Sequence, residues 1–139
     1  MLKLLRRQNH LLHLAPPLAV HLGSRGVGLI AEKYGEDLSR VSKDWVNYSQ
    51  EVRLSWMRDL IGMASELRDA RILHRDVKPN NICLQHAQEG LPRLKLIDFG
   101  KAIPADELHE APVEVVGVAK YRAPELTDGT AVNGHKVDD

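Results

Sequence analysis

His74-Arg75-Asp76-Val77-Lys78-Pro79-Asn80-Asn81 sets one acid, two bases, two amides and an imidazole within eight residues. The apolar runs Arg71-Ile72-Leu73 and Asn81-Ile82-Cys83-Leu84 flank it, so the stretch reads as a polar loop between two short strands. Taken singly, an Asp after an Arg is usually a surface pair, and an Asn before an apolar run is usually a turn residue. The argument gains force downstream. Asp98-Phe99-Gly100 stands at the end of a third strand-like run, Leu94-Lys95-Leu96-Ile97, and Ala123-Pro124-Glu125 follows further on, preceded by Tyr121-Arg122.

Three such signals in this order resemble the eukaryotic-type protein kinase domain, Ser/Thr type, with its H-R-D-x-x-x-x-N, D-F-G and A-P-E segments. The resemblance implies an α+β, protein-kinase-like fold that is incomplete: the end of the small lobe and the hinge, plus the N-terminal half of the helical large lobe. On that expectation residues 1–139 form a partial kinase domain, with 1–31 a remnant of the small lobe, 32–38 the hinge and 39–139 part of the large lobe.

Phosphoryl transfer needs a group that orients the attacking hydroxyl and metal ions that offset charge developing on the phosphate. The resemblance assigns these roles by position. Asp76 would accept the substrate hydroxyl's proton, and Lys78 would approach the transferred phosphate as in Ser/Thr kinases. Asn81 and Asp98 would contact Mg²⁺ through an amide oxygen and a carboxylate, donors suited to a hard cation. Around ATP, Ala31 would sit at the back of the pocket, backbone groups of Glu32 and Tyr34 would meet the adenine edge, and Cys83 would lie beneath the ring. Cys83 is then a small core hydrophobe rather than a nucleophile. His74 and Phe99 resemble the family's internal apolar spine.

Working outward, Ser49 to Asp69 carries Val52, Trp56, Leu60, Ala64 and Leu67 at three- and four-residue spacing, one buried face of a long helix. By the resemblance, Ser42 to Tyr48 forms a shorter helix before it. Leu18-Ala19-Val20-His21-Leu22 and Val27-Gly28-Leu29-Ile30-Ala31 read as two strands joined by a turn at Gly23-Ser24-Arg25-Gly26. Met1 to Arg7 reads as a helical end, and Val132 to Asp139 resembles the approach to the large lobe's central helix.

Nineteen Lys plus Arg balance nineteen Asp plus Glu, so the charge implies neither a nucleic-acid footprint nor a membrane-surface patch. The run from Leu11 to Val20 is broken by His13, Pro16 and Pro17, which excludes a signal core or a membrane span there. One cysteine makes no internal disulfide and fits a reducing compartment. The partners expected are ATP and a protein substrate, with no nucleic acid and no membrane, in an intracellular setting, cytoplasmic or nuclear.

Departures from the family pattern qualify the activity. No G-x-G-x-x-G loop and no strand lysine of the V-A-I-K kind are present, so the reading at this stage is a truncated kinase domain, inactive alone. Val118 stands in Gly117-Val118-Ala119-Lys120-Tyr121 where the family usually has threonine, which keeps shape but deletes hydrogen bonds. Lys101 to Lys120 contains no Ser, Thr or Tyr, so switching by phosphorylation within that segment is not expected. Asp106, Glu107, Glu110 or Glu114 would then stand in as fixed carboxylates for Arg75. Two alternatives remain at this stage: a pseudokinase or scaffold module, and a kinase-like small-molecule phosphotransferase. The intact Asp76, Asn81 and Asp98 weigh against the first, and Tyr121 to Glu125 against the second.

Overall fold

The computed structural model describes residues 11–24, 26–86, 90–109 and 119–121. The expected helical end at Met1 to Arg7, Val118, Glu110, Glu114, Ala123-Pro124-Glu125 and Val132 to Asp139 lie outside these residues.

The N-terminal part is a hairpin of β1 (Ala19–Gly23) and β2 (Gly26–Ile30), antiparallel, with Ala19 opposite Ile30 and Gly23 opposite Gly26. Both strands lie within one residue of their expected bounds. Gly26 has φ +141, a conformation that only glycine adopts without strain, and this closes the turn. Leu18 N–H extends the pairing by donating to Ile30 O at 2.7 Å.

A short helix α1 (Leu38–Val41) follows, its first turn capped by the Asp37 carboxylate, which accepts from Ser39 N–H at 3.0 Å. A 3₁₀ stretch at Ser42–Asn47 continues it, in the place expected for the shorter helix. The long helix α2 (Gln50–Asp69) starts at Ser49, whose hydroxyl accepts from Val52 N–H at 3.3 Å.

The buried face of α2 differs from the expected stripe. Trp56, Asp59, Met63 and Leu67 are buried, whereas Leu60 is exposed and Val52 and Ala64 are half-buried. The helix is turned by the carboxylate at position 59. Asp59 Oδ2 accepts from the buried Leu94 N–H at 2.8 Å, and Arg93 donates to Asp59 from Nε at 2.9 Å. A buried carboxylate with charged and backbone partners is tolerated where an unpaired one is not. Trp56 sits fully buried between Tyr48 and Trp45, with centroids 4.7 and 5.8 Å away, and its ring N–H donates to Pro92 O at 2.9 Å.

After α2 come β3 (Ile72–Leu73), β4 (Ile82–Gln85), β5 (Arg93–Leu96) and β6 (Ile103–Pro104). The three runs expected between α2 and Asp98 are strands, each within a residue or two. β4 pairs antiparallel with β5, Ile82 opposite Leu96, and β3 pairs antiparallel with β6. The core joins Leu14, Val41, Trp56, Met63, Leu94 and Leu96, so helix and β5 bury one surface together. Small sheets around one long helix make the α+β arrangement of a partial kinase-like fold. Among the described residues no helix is long and apolar enough to cross a membrane.

Residues 11–15 are pinned to this core by charge. The Glu66 carboxylate on α2 accepts from the backbone N–H of Leu12, His13 and Leu14 at 2.9 to 3.2 Å, and from His13 Nδ1 at 2.7 Å. Ala15 N–H donates to Leu96 O at 2.8 Å, which places Ala15 and Pro17 beside the end of β5.

Candidate active site

The loop after β3 is built around a buried imidazole. His74 is fully buried; its Nδ1 accepts from Asp76 N–H at 3.3 Å, so the proton lies on Nε2, which donates to Ile97 O at 3.0 Å. Its ring meets Phe99 edge-on at 4.9 Å, so the two residues expected to pack together do so. Arg75 then adopts a left-handed φ of 63°, uncommon outside glycine, and reverses the chain. Its Nε donates to Lys101 O at 2.7 Å.

The Asp76 side chain is 5% exposed, with both contacts on one oxygen: Lys78 Nζ at 2.8 Å and Lys101 Nζ at 3.1 Å, each to Oδ2. Oδ1 is buried and has no hydrogen-bond partner among the described residues. Burial opposes the charge, but the two ammonium groups outweigh it and hold the carboxyl below the usual carboxylate range. The backbone on either side is fixed by Asn81, whose Nδ2 donates to Asp76 O at 2.8 Å and whose own carbonyl accepts from Ile97 N–H at 2.8 Å. A 3₁₀ turn at Pro79–Asn81 makes that return possible, with Asn81 N–H bonded to Lys78 O. Asn80 Nδ2 donates to Ser39 Oγ at 2.9 Å, tying the loop to the start of α1.

Asp98, next to Ile97, also has a left-handed φ of 63° and caps the 3₁₀ turn Phe99–Lys101, accepting from Gly100 N–H at 3.3 Å through Oδ1. Its side chain is exposed and lines a cleft of about 530 Å³, within the range of small-molecule sites. Ala31, Glu32, Tyr34 and Cys83 line the same cleft, with Ala15, Pro17, Leu29 and Phe99 among the apolar walls. The structure therefore brings five of the expected residues to one cavity. Asp76, Lys78 and Asn81 do not line it; they join it through Asn81 to Ile97 and through Lys101 to the Asp98 turn.

The cleft's other wall is the segment 32–37, which runs alongside β4. Gly35 N–H donates to Leu84 O at 2.8 Å, and Leu84 N–H donates to Glu36 O at 2.9 Å. A Cβ at Gly35 would stand 3.1 Å from Leu84 O, so this close approach favours glycine. The Tyr34 hydroxyl donates to Glu32 Oε2 at 2.9 Å; burial first and this bond second push its pKa up to about 12. Burial, with a smaller contribution from Asp37, also raises the Cys83 thiol, which keeps it an unreactive apolar wall.

Residues that the motifs did not identify also organise this region. Lys101 sits on Asp76 with no sequence signal beyond its place after Gly100. Asp37 and Asn80 meet at Ser39, signalled only by the capping potential of an Asp before a helix. Of the carboxylates expected to serve Arg75, Asp106 forms its ion pair with Arg71.

The profile of the protein kinase domain family matches residues 24–139. Over 132 residues the chain is 29% identical to the serine/threonine-protein kinase prpf4B of Dictyostelium discoideum, covering 94% of this chain and 13% of that protein. Identity is 30% over 122 residues to the serine/threonine-protein kinase pkn3 of Myxococcus xanthus, covering 81% and 22%. It is 32% over 136 residues to the inhibitor of nuclear factor kappa-B kinase subunit beta of Mus musculus, covering 91% and 18%. The chain thus spans less than a quarter of the length of each of these relatives.

Proposed function

The chain belongs to the protein kinase domain family, and on that premise we propose that it carries part of an ATP- and Mg²⁺-dependent catalytic centre acting on Ser or Thr of protein substrates. The observation that carries this reading is the Asp76 carboxylate, with Oδ2 held by two ammonium groups and Oδ1 buried without a partner among the described residues. A buried anionic oxygen without a donor is poised to receive one, and a substrate hydroxyl is the donor that phosphoryl transfer presents. Asp76 Oδ1 then orients that hydroxyl and takes its proton. Lys78, an ammonium two residues on, holds Oδ2 and lies next to where the phosphate oxygens gather charge.

The metal fits the donor set. Among the described residues no group of three His, Cys, Asp or Glu side chains could hold a metal ion unaided. Mg²⁺ does not need one, since it commonly takes one or two carboxylates and completes its shell with water and substrate phosphate. Asp98, whose only hydrogen bond in the described structure goes to Gly100 N–H, and Asn81 would hold it. When bound, ATP supplies the phosphoryl group and Mg²⁺ offsets the charge on its oxygens. On this reading the cleft takes the adenine beside Ala31 and Cys83, with backbone groups of Glu32 and Tyr34 meeting its edge; all four residues line the cleft. Residues 1–31 are proposed as small lobe, 32–38 as hinge and 39–139 as large lobe. An intracellular location, cytoplasmic or nuclear, accords with the single buried cysteine.

The chain as written is expected to transfer little phosphate by itself, so the test sets it within a complete kinase domain and follows transfer of labelled phosphate from ATP to a basic protein substrate by that protein and by its Asp76→Asn and Asp98→Asn variants. Asp76→Asn is expected to lose activity by about a hundredfold or more while still binding nucleotide. Asp98→Asn is expected to lose the Mg²⁺ dependence of nucleotide binding measured by calorimetry. Undiminished transfer in Asp76→Asn would sink the reading.

A further inference from the structure

We propose that Lys101 is a positioning residue of this centre, the second ammonium that fixes Asp76 so that Oδ1 is the oxygen left to take the substrate's proton. The inference rests on the reading of Asp76 as proton acceptor. Three observations support it.

First, both ammonium groups converge on the same atom. Lys78 approaches Oδ2 to 2.8 Å and Lys101 to 3.1 Å, while Oδ1 receives no donor among the described residues. Two donors on one oxygen stop the carboxylate from flipping about its terminal bond; one donor on a flexible stem constrains it far less. Second, the contact is reciprocal. Lys101 gives its ammonium to Asp76 and its carbonyl receives Arg75 Nε at 2.7 Å, so adjacent residues of the loop grip one residue of the opposite turn at both ends. Third, that turn is the one Asp98 caps, so Asp98 begins and Lys101 ends one short stretch of backbone. The Lys101 side chain links this stretch to Asp76, beside the link through Asn81 and Ile97.

A surface lysine beside a carboxylate is usually worth little. Lys101 is 43% exposed, which fits that bland reading from its own side. The partner does not fit it: at 5% exposure, the Asp76 carboxylate depends on its neighbours for compensation.

The experiment compares wild type, Lys101→Met and Lys101→Arg, each checked for folding by urea unfolding, and follows the ¹³C carboxyl signal of Asp76 at one fixed neutral pH, assigned from Asp76→Asn. In Lys101→Met that signal shifts or broadens as the second ammonium leaves, and in Lys101→Arg it stays near its wild-type position. An Asp76 signal unchanged in folded Lys101→Met overturns the proposal. In a phosphotransfer assay with the chain set within a complete kinase domain, Lys101→Met lowers kcat by roughly tenfold or more and leaves the KM for ATP unchanged, and Lys101→Arg restores kcat. A kcat identical to wild type in Lys101→Met also overturns it. If no variant in that setting, wild type included, transfers phosphate while the Asp76 signal still changes, the kinase reading fails and the hold of Lys101 on Asp76 stands.

Discussion

Replacing Asp59 by alanine removes a carboxylate that is 1% exposed and leaves its partners in place. The Leu94 amide, 2.8 Å from Oδ2 in a fully buried strand residue, loses its acceptor, at a cost of about 1–3 kcal/mol. Arg93 loses an ion pair at 2.7 Å, but its side chain is 44% exposed and can turn to water, so this part adds about 1 kcal/mol or less. The expected loss is about 2–4 kcal/mol, dominated by the strand amide. Asp59→Asn keeps one oxygen for Leu94 and gives up the charge, so it should fall between alanine and wild type. Asp69→Ala, whose carboxylate is 66% exposed and 3.7 Å from Arg68, should cost within about 0.5 kcal/mol and serves as the control. Urea unfolding followed by tryptophan fluorescence, with the slope checked for constancy, measures all three. An Asp59→Ala loss no larger than that of Asp69→Ala would show that the buried carboxylate does not organise the helix–strand contact.

A Cβ added at Gly62 in α2 would stand 2.4 Å from His13 Cε1, and Glu66 and Arg93 pin that ring. Gly62→Ala should therefore destabilise the wild type, although helix propensity alone favours alanine by about 1 kcal/mol. In the His13→Ala background the same change should stabilise by about that amount; unfolding curves showing one sign in both backgrounds would refute the clash. Tyr34 ionises near 12 in the folded protein, against 10.0 ordinarily, so the unfolded chain loses the proton first. The stability this hydroxyl contributes is then present below about pH 10 and falls as pH rises toward 12. Absorbance titration should show one of the three tyrosines ionising late, and Tyr34→Phe should remove that step; an unchanged curve would count against the Tyr34–Glu32 bond.

The strand and helix positions were legible because they follow local pattern: β-branched and aliphatic runs set between polar loops, and an apolar stripe at helical period. The loop from His74 to Asn81 and the turn at Asp98 were legible for a different reason, namely that the family's motif spacing is written in the chain itself, and the family match spans both. What pattern could not supply was which way α2 faces. The stripe through Leu60 and Ala64 assumed that only apolar residues seek the core, whereas the buried face carries Asp59, with Glu66 seven residues on. Acidic residues at that interval beside Trp56, Met63 and Leu67 were a signal, since buried carboxylates demand donors. The donors lie at residues 11–14 and 93–94, too distant in sequence for any local rule to pair them.

The two aspartates of the candidate centre show why residue type alone underdetermines role. On the proposed reading Asp76, buried with its charge offset on one oxygen and no donor among the described residues on the other, suits a group that must accept a proton at a defined point. Asp98, exposed and held in a left-handed conformation by the turn it caps, accepts from Gly100 N–H through Oδ1, which suits a carboxylate presented to a cation. Two carboxyls pushed into unlike surroundings take unlike tasks. One turn links them: Asp98 begins it, Lys101 ends it, and Lys101 reaches back to Asp76, so on the proposed reading the proton acceptor and the cation ligand are tied through a single turn of backbone.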